Sequence, residues 1–147
     1  MRIWLIGLAV AVAAESAALA CSCVAPGTPE QSRAAAREAV RGAAAIVDAD
    51  ILTEYRPGQR AGGERVRVRR VLWGKAPRAF RIERGPHASG AACDHLFAAG
   101  ERRILLLRPA PGGWLGERRF TVQNLCSDYL FNDRRFLKVT LEEARRR

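Results

Sequence analysis

The sequence predicts a mainly β domain: a small closed or half-closed barrel of five strands, with one helix near its start and another at its end. Three observations lead there. Five short apolar segments are separated by clusters of turn residues, and one of them alternates basic residues with valine, as a strand with one wet face does. The two helical segments are too few to cover both faces of a parallel sheet. The 147 residues suffice for one domain with a sizeable core. With 48% apolar and 27% charged residues, the composition argues against wholesale disorder and against multi-span membrane classes.

Residues 1–20 read as a secretory leader and are set aside from the fold. Met1 and Arg2 precede an apolar run over residues 3–14, and Ala18 and Ala20 stand at minus three and minus one of a cleavage point. That run is shorter than the ~20 apolar residues a spanning helix needs, and Glu15 follows it, so no transmembrane segment is expected. Export places the chain outside the cell or in the periplasm. A cysteine directly after a leader is also the position that carries lipid in bacterial lipoproteins. Ala18 at minus three, where such leaders usually hold leucine, ranks that envelope-anchored alternative second.

Residues 21–29 form an extended lead, because Pro26 and Pro29 bias the residues before them away from helix. Thr28, Pro29 and Glu30 make an N-cap, a first-turn proline and an acidic first turn, opening an alanine-rich helix to about Val40, with Gly42 as its stop. The first strand is expected over residues 44–55, on Ile46, Val47, Ile51 and Leu52. The second is expected over residues 65–71, punctuated by Trp73-Gly74-Lys75-Ala76-Pro77. Residues 80–84 form the third, with Phe80 and Ile82 inward and Arg81 and Glu83 outward. The run Ile104, Leu105, Leu106, Leu107 predicts a fourth strand covered on both faces, within residues 103–108. Residues 114–122 offer the fifth strand, and residues 133–145 an amphipathic closing helix on Phe136, Leu137, Val139, Thr140 and Leu141. The five-stranded barrel that suits this order is the oligonucleotide/oligosaccharide-binding (OB) type.

Four cysteines in an exported chain suit two disulfides. Joining Cys21 to Cys23 would close a very small, strained ring, so each is expected to reach either Cys93 or Cys126. Either choice staples the lead onto the barrel through loops of roughly 70 to 100 residues, for about 4 kcal/mol per bridge. Cleavage before Cys21 would also expose an amine that, with the carbonyl oxygen of the same residue, can close a five-membered chelate on a metal ion. An unperturbed terminal amine has a pKa of about 7.7 to 8.0, so it deprotonates at little cost near neutral pH.

The opening Cys21-Ser22-Cys23-Val24-Ala25-Pro26 resembles the start of the tissue inhibitors of metalloproteinases, in the netrin-like group of OB domains. The likeness continues through residues 65–75, through Ala91-Ala92-Cys93 ahead of Phe97-Ala98-Ala99-Gly100, and through Leu125-Cys126-Ser127-Asp128-Tyr129. It covers nearly all of residues 21–147 as an inhibitory N-terminal domain. The resemblance implies pairing of Cys21 with Cys93 and of Cys23 with Cys126. It implies that the Cys21 amine and carbonyl chelate the zinc of a target protease. Ser22 would face the primed specificity pocket, Cys23, Val24, Ala25 and Pro26 would follow the cleft, and Ala91 and Ala92 would add a second contact edge. A third bridge of the animal inhibitors has no counterpart here: its early position falls near Arg33, and no cysteine follows Cys126. Their separate C-terminal domain is missing as well. Netrin-like domains also serve as binding modules that inhibit nothing, which is the alternative function.

The other signals point away from catalysis. His87 and His95 straddle Cys93 without a helical zinc spacing, and read as loop or surface residues rather than ligands. No nucleophile elbow, phosphate loop or paired-carboxylate signature occurs; Asp48 and Asp50 alternate along a strand edge and read as solvated. No enzyme activity and no cofactor are expected. The formal charge of +10, carried by 25 Lys plus Arg against 15 Asp plus Glu, favours anionic surroundings. Arg65, Arg67, Arg69, Arg70, Arg81, Arg84, Arg102 and Arg103 are the candidates for a basic face. Nucleic acid is not expected, because the interleaved aromatics Trp73, Phe80 and Phe120 read as core or turn packing. The expected partners are a zinc metalloprotease and an anionic polysaccharide or envelope surface.

Overall fold

A computed structural model of the chain describes residues 23, 25–56, 63–84, 94, 96–110 and 118–147. The expected leader, residues 1–20, lies outside the described residues. So do Trp114 and its neighbours at the start of the expected fifth strand.

The lead ends in α1, Pro29–Ala39, whose start is the one the sequence announces. The Thr28 side chain accepts from the Gln31 backbone N–H at 3.2 Å, and Gln31 Oε1 accepts in return from the N–H groups of Thr28 and Gly27. This reciprocal capping satisfies donors that a bare helix start leaves unpaired. Ser32 and Ala36 turn inward, and the helix stops at Val40. The Arg108 guanidinium donates to the carbonyl of Ala39 at this end, where an unpaired carbonyl and the helix dipole both favour a cation.

Five strands follow: β1 Ala45–Ile51, β2 Arg65–Gly74, β3 Ala79–Ile82, β4 Arg102–Pro109 and β5 Arg119–Thr121. They close into a barrel in the order β1-β2-β3-β5-β4, with β4 returning to β1. All pairings are antiparallel except β3 with β5. This is the mainly β, OB-like five-stranded barrel with flanking helices that the alternation pattern predicts.

The pattern misjudges β2 in one respect. Two irregularities in its pairing with β1 skip Arg69 and Leu72, since Ala49 pairs with Val68 while Asp48 pairs with Arg70, and Val47 pairs with Val71 while Ile46 pairs with Trp73. Each extra residue resets the phase of the strand and adds the twist a small barrel needs. Val66 is therefore buried while Val71 is 41% exposed, and Leu72 and Trp73 pack under the helices. β2 also runs on through Gly74, beyond the expected end at Val71. Gly74 has φ +77°, and a Cβ there would lie 2.1 Å from the Ala44 carbonyl oxygen, so only glycine closes this corner.

Two apolar layers hold the fold. Inside the barrel lie Val47, Ile51, Val66, Phe80, Ile82, Leu105 and Leu107, joined by Phe97 from the segment before β4. Phe120 meets Phe80 edge to face at 5.3 Å. On the outside, Ile46 and Leu106 are covered by Val40, Leu130, Phe131 and Ala144. The leucine run of β4 is thus buried on both faces, as expected, because alternate residues enter different layers. The covering helices are α1, a short α2, Tyr129–Asn132, and α3, Arg134–Arg145. Asp133 caps α3 by accepting from the Arg135 N–H at 2.9 Å.

Of the expected fifth strand, residues 114–117 lie outside the described residues and Arg119–Thr121 form β5, which among the described residues pairs with β4 at Arg108 and Pro109. Side-chain amides complete the seam. Gln123, 1% exposed, accepts from the Leu106 N–H at 2.9 Å and donates to the Ile104 carbonyl at 2.8 Å. Asn132 repeats the arrangement on Ile104, accepting from its N–H at 3.0 Å and donating to its carbonyl at 3.1 Å. Asp128 accepts from both amides and ties them together.

The reading of Asp48 and Asp50 as solvated residues on a strand edge is corrected here. β1 has a neighbour on each side, so it has no free edge. Asp48 is 5% exposed and takes a two-pronged grip from Arg102, Nε at 2.8 Å and Nη2 at 2.5 Å. That hydrogen bonding, helped by Arg70 and Arg69, holds its carboxyl below the usual carboxylate range against the opposing effect of burial. Asp50 receives Arg67 at 3.1 Å and Arg69 at 3.4 Å.

Two stability outcomes follow. Gln123→Leu keeps the volume but strands the buried Leu106 N–H and removes one of the two donors to the Ile104 carbonyl, so chemical denaturation should show a loss of about 1 to 3 kcal/mol. Asp48→Asn should cost less, about 1 to 2 kcal/mol at neutral pH, because Arg102 is largely in water. A carboxyl held low in the folded state stabilises above its unfolded pKa of about 3.9, and that stabilisation disappears as pH falls through the folded value. The gap between Asp48→Asn and the parent, measured by urea unfolding, should therefore stay constant from neutrality to about pH 5 and close below about pH 4.

Candidate functional site

The candidate site is the lead and the chain segments that hold it. Cys23 is bonded to Cys126, with Cα atoms 4.8 Å apart across 103 residues of sequence. The expectation that Cys23 reaches Cys93 or Cys126 thus resolves to Cys126. Cys126 sits in a single 3-10 turn, Leu125–Ser127, which Asn124 caps by accepting from the Ser127 N–H at 2.9 Å. The turn follows directly on Gln123, so the same seam that closes the barrel also positions the bridge.

Beyond Cys23 the lead is exposed at Ala25 and half-buried at Pro26, then locked by the Gly27 and Thr28 bonds to Gln31. It is held at two points, a covalent one to the turn after β5 and a hydrogen-bonded one at the start of α1. Among the other residues singled out by sequence, Cys21, Ser22 and Val24 lie outside the described residues. The same holds for Ala91, Ala92 and Cys93, so the Cys21–Cys93 pairing and the second contact edge fall there too, as do His87 and His95. Among the described residues, no group of three or more His, Cys, Asp or Glu is placed to hold a metal ion. No described helix is long and apolar enough to cross a membrane.

A buried charge pair that the sequence reading missed organises the segment on either side of residues 85–93. Glu64, wholly buried, accepts from Arg84 through both oxygens, Nε at 3.0 Å and Nη2 at 2.5 Å. Its Oε1 also accepts from the Phe97 N–H at 3.3 Å, and the Arg84 guanidinium lies 5.6 Å above the Phe97 ring. One carboxylate therefore joins the chain just before residues 85–93 to the chain after them. Alternation holds the missed signal: Glu64 is in phase with Val66 and Val68, and Arg84 with Ile82 and Phe80, so both fall on inward-pointing positions.

The expected basic face is likewise redrawn. Arg84 is buried against Glu64; Arg67 and Arg69 serve Asp50; Arg102 serves Asp48; Arg103 lies 2.9 Å from Glu101. Trp73 and Phe120 pack against the two apolar layers, and Phe80 is 5% exposed, so these aromatics are packing residues as expected.

No family model matches the chain, and no curated protein and no solved structure matches it. Its function is therefore argued from the lead, its bridge and the grooves of the barrel.

Glu64→Ala should remove the two-pronged acceptor of the buried Arg84 and the acceptor of the Phe97 N–H, with a loss of about 3 kcal/mol in denaturant unfolding. Hydrogen exchange should show protection falling first at residues 96–98, ahead of β1 and β2.

Proposed function

We propose that the chain inhibits zinc metalloendopeptidases by presenting the amine and carbonyl oxygen of Cys21 to the catalytic zinc of its target. The observation that carries the reading is the Cys23–Cys126 bridge, which clamps the lead to the barrel two residues after Cys21. Catalytic zinc keeps one position open for water, and a terminal amine with its own carbonyl is a compact pair of donors for it. The residue sulfur takes no part in the chelate and is free to be used in a bridge to Cys93. A lead ordered before it meets its target avoids much of the ordering penalty of association. Ser22 then faces the primed specificity pocket and Cys23, Val24, Ala25 and Pro26 lie along the cleft, with Ala91 and Ala92 as a second edge. The chain itself performs no catalysis in this reading, and acts outside the cytoplasm after loss of residues 1–20.

The test compares protein beginning at Cys21 with protein carrying one extra residue before it, against a panel of zinc endopeptidases. The first should inhibit at least one of them and the second should lose about a hundredfold or more, as expected when about 3 kcal/mol of metal coordination is removed. Inhibition that survives the extension sinks the mechanism. Failure of both forms across the panel favours a netrin-like binding module. An intact mass showing fatty chains on Cys21 favours an envelope lipoprotein, since acylation consumes both the amine and the sulfur.

A further inference from the structure

Several arginines that have no ion pair among the described residues gather beside one groove of the barrel. A groove of about 750 Å³ runs across the outer side of β2 and β3, lined by Arg65, Arg78, Arg81 and Arg118 over an apolar strip that includes Leu52 and Pro77. A second hollow of about 490 Å³ shares Leu52, Arg65 and Arg81 with it, and is lined further on by Arg56 and by the acidic Glu54. Arg56, Arg65, Arg78 and Arg118 are exposed and have no acidic partner among the described residues.

Register brings like charges opposite one another here. Arg65 on β2 pairs directly with Arg81 on β3, and Arg81 pairs on its other side with Arg119 at the start of β5. Like charges placed directly opposite on neighbouring strands destabilise a sheet. Arg119 is relieved by Glu83 at 3.3 Å, whereas Arg65 has no such relief within the described fold. An anion in the groove would supply it.

We propose that this groove binds a linear acidic oligosaccharide. Guanidinium groups present planar forks that match carboxylate or sulfate groups in two-point contacts, and several of them line one groove, as a chain of repeated acidic groups would need. Leu52, 40% exposed, supplies an apolar surface for the C–H faces of sugar rings. Single-stranded nucleic acid fits less well, because base stacking needs an open aromatic face and the groove's aromatic, Phe80, is 5% exposed and turned edge to face with Phe120. The site uses neither the Cys21 amine nor the lead, so it stands or falls apart from protease inhibition.

The experiment measures binding of the disulfide-bonded chain to a heparin-derived octasaccharide, to an octagalacturonate and to a single-stranded octanucleotide at near-physiological ionic strength. At least one acidic saccharide should bind saturably and more tightly than the nucleotide. The saccharide that binds reports whether sulfate or carboxylate is preferred. Removing three groove charges in Arg65→Ser/Arg78→Ser/Arg118→Ser should weaken that binding by at least about tenfold. Removing three exposed charges of α3 in Arg134→Ser/Lys138→Ser/Arg145→Ser should change it by less than about twofold, since distant exposed charges are screened. Neither set breaks an ion pair among the described residues, and the groove variant should unfold at no lower temperature than the parent, since it loses only like charges. Equal weakening by the two sets would reduce the effect to net charge and overturn the proposal, as would tighter binding of the nucleotide, or no saccharide binding at all.

Discussion

The barrel closes across a seam that backbone alone does not complete. Among the described residues β5 pairs with β4 at two positions, and the next stretch of the β4 edge is paired by the side-chain amides of Gln123 and Asn132. Without Gln123, the buried Leu106 N–H would sit in a low-dielectric interior with neither water nor a partner, a penalty larger than any single apolar contact nearby could offset. Because Gln123 leads directly into the turn that bears Cys126, this requirement also dictates where the lead is tethered. Closure of the fold and presentation of its N-terminal segment are one arrangement.

Charge is sorted by the same architecture. Arginines whose strand positions face a carboxylate become structural, as Arg102 does for Asp48 and Arg84 for Glu64. The two pairs differ in setting. Arg84 is nearly buried and holds two chain segments through one carboxylate, whereas Arg102 leaves most of its side chain in water and gains correspondingly less. Arg65 on β2 and Arg78 just before β3 meet no acid among the described residues and remain exposed. A net charge of +10 therefore understates how uneven the surface is.

Much of the lead was legible in sequence for local reasons. Thr28, Pro29 and Glu30 announce the start of α1 because a cap, a proline and an acidic first turn act within one turn of chain, although the reciprocal partner, Gln31, stands out only with the structure. The Cys23–Cys126 bridge matches what the family likeness implies, while spacing alone left Cys23 two possible partners. Glu64 and Arg84 escaped notice because a charged residue is presumed wet, although strand phase places both inward.

By itself the sequence determined the element types, the five-stranded class and the double burial of β4, since alternation, capping and turn chemistry depend on neighbours a few residues apart. Only the tertiary structure decided which cysteine Cys23 meets, how the β4 edge is paired, where the skipped residues Arg69 and Leu72 shift the face of β2, and which arginines are left without an acid. Each of these depends on register between segments distant in the chain, and a displacement of one residue in a strand exchanges its inner and outer faces.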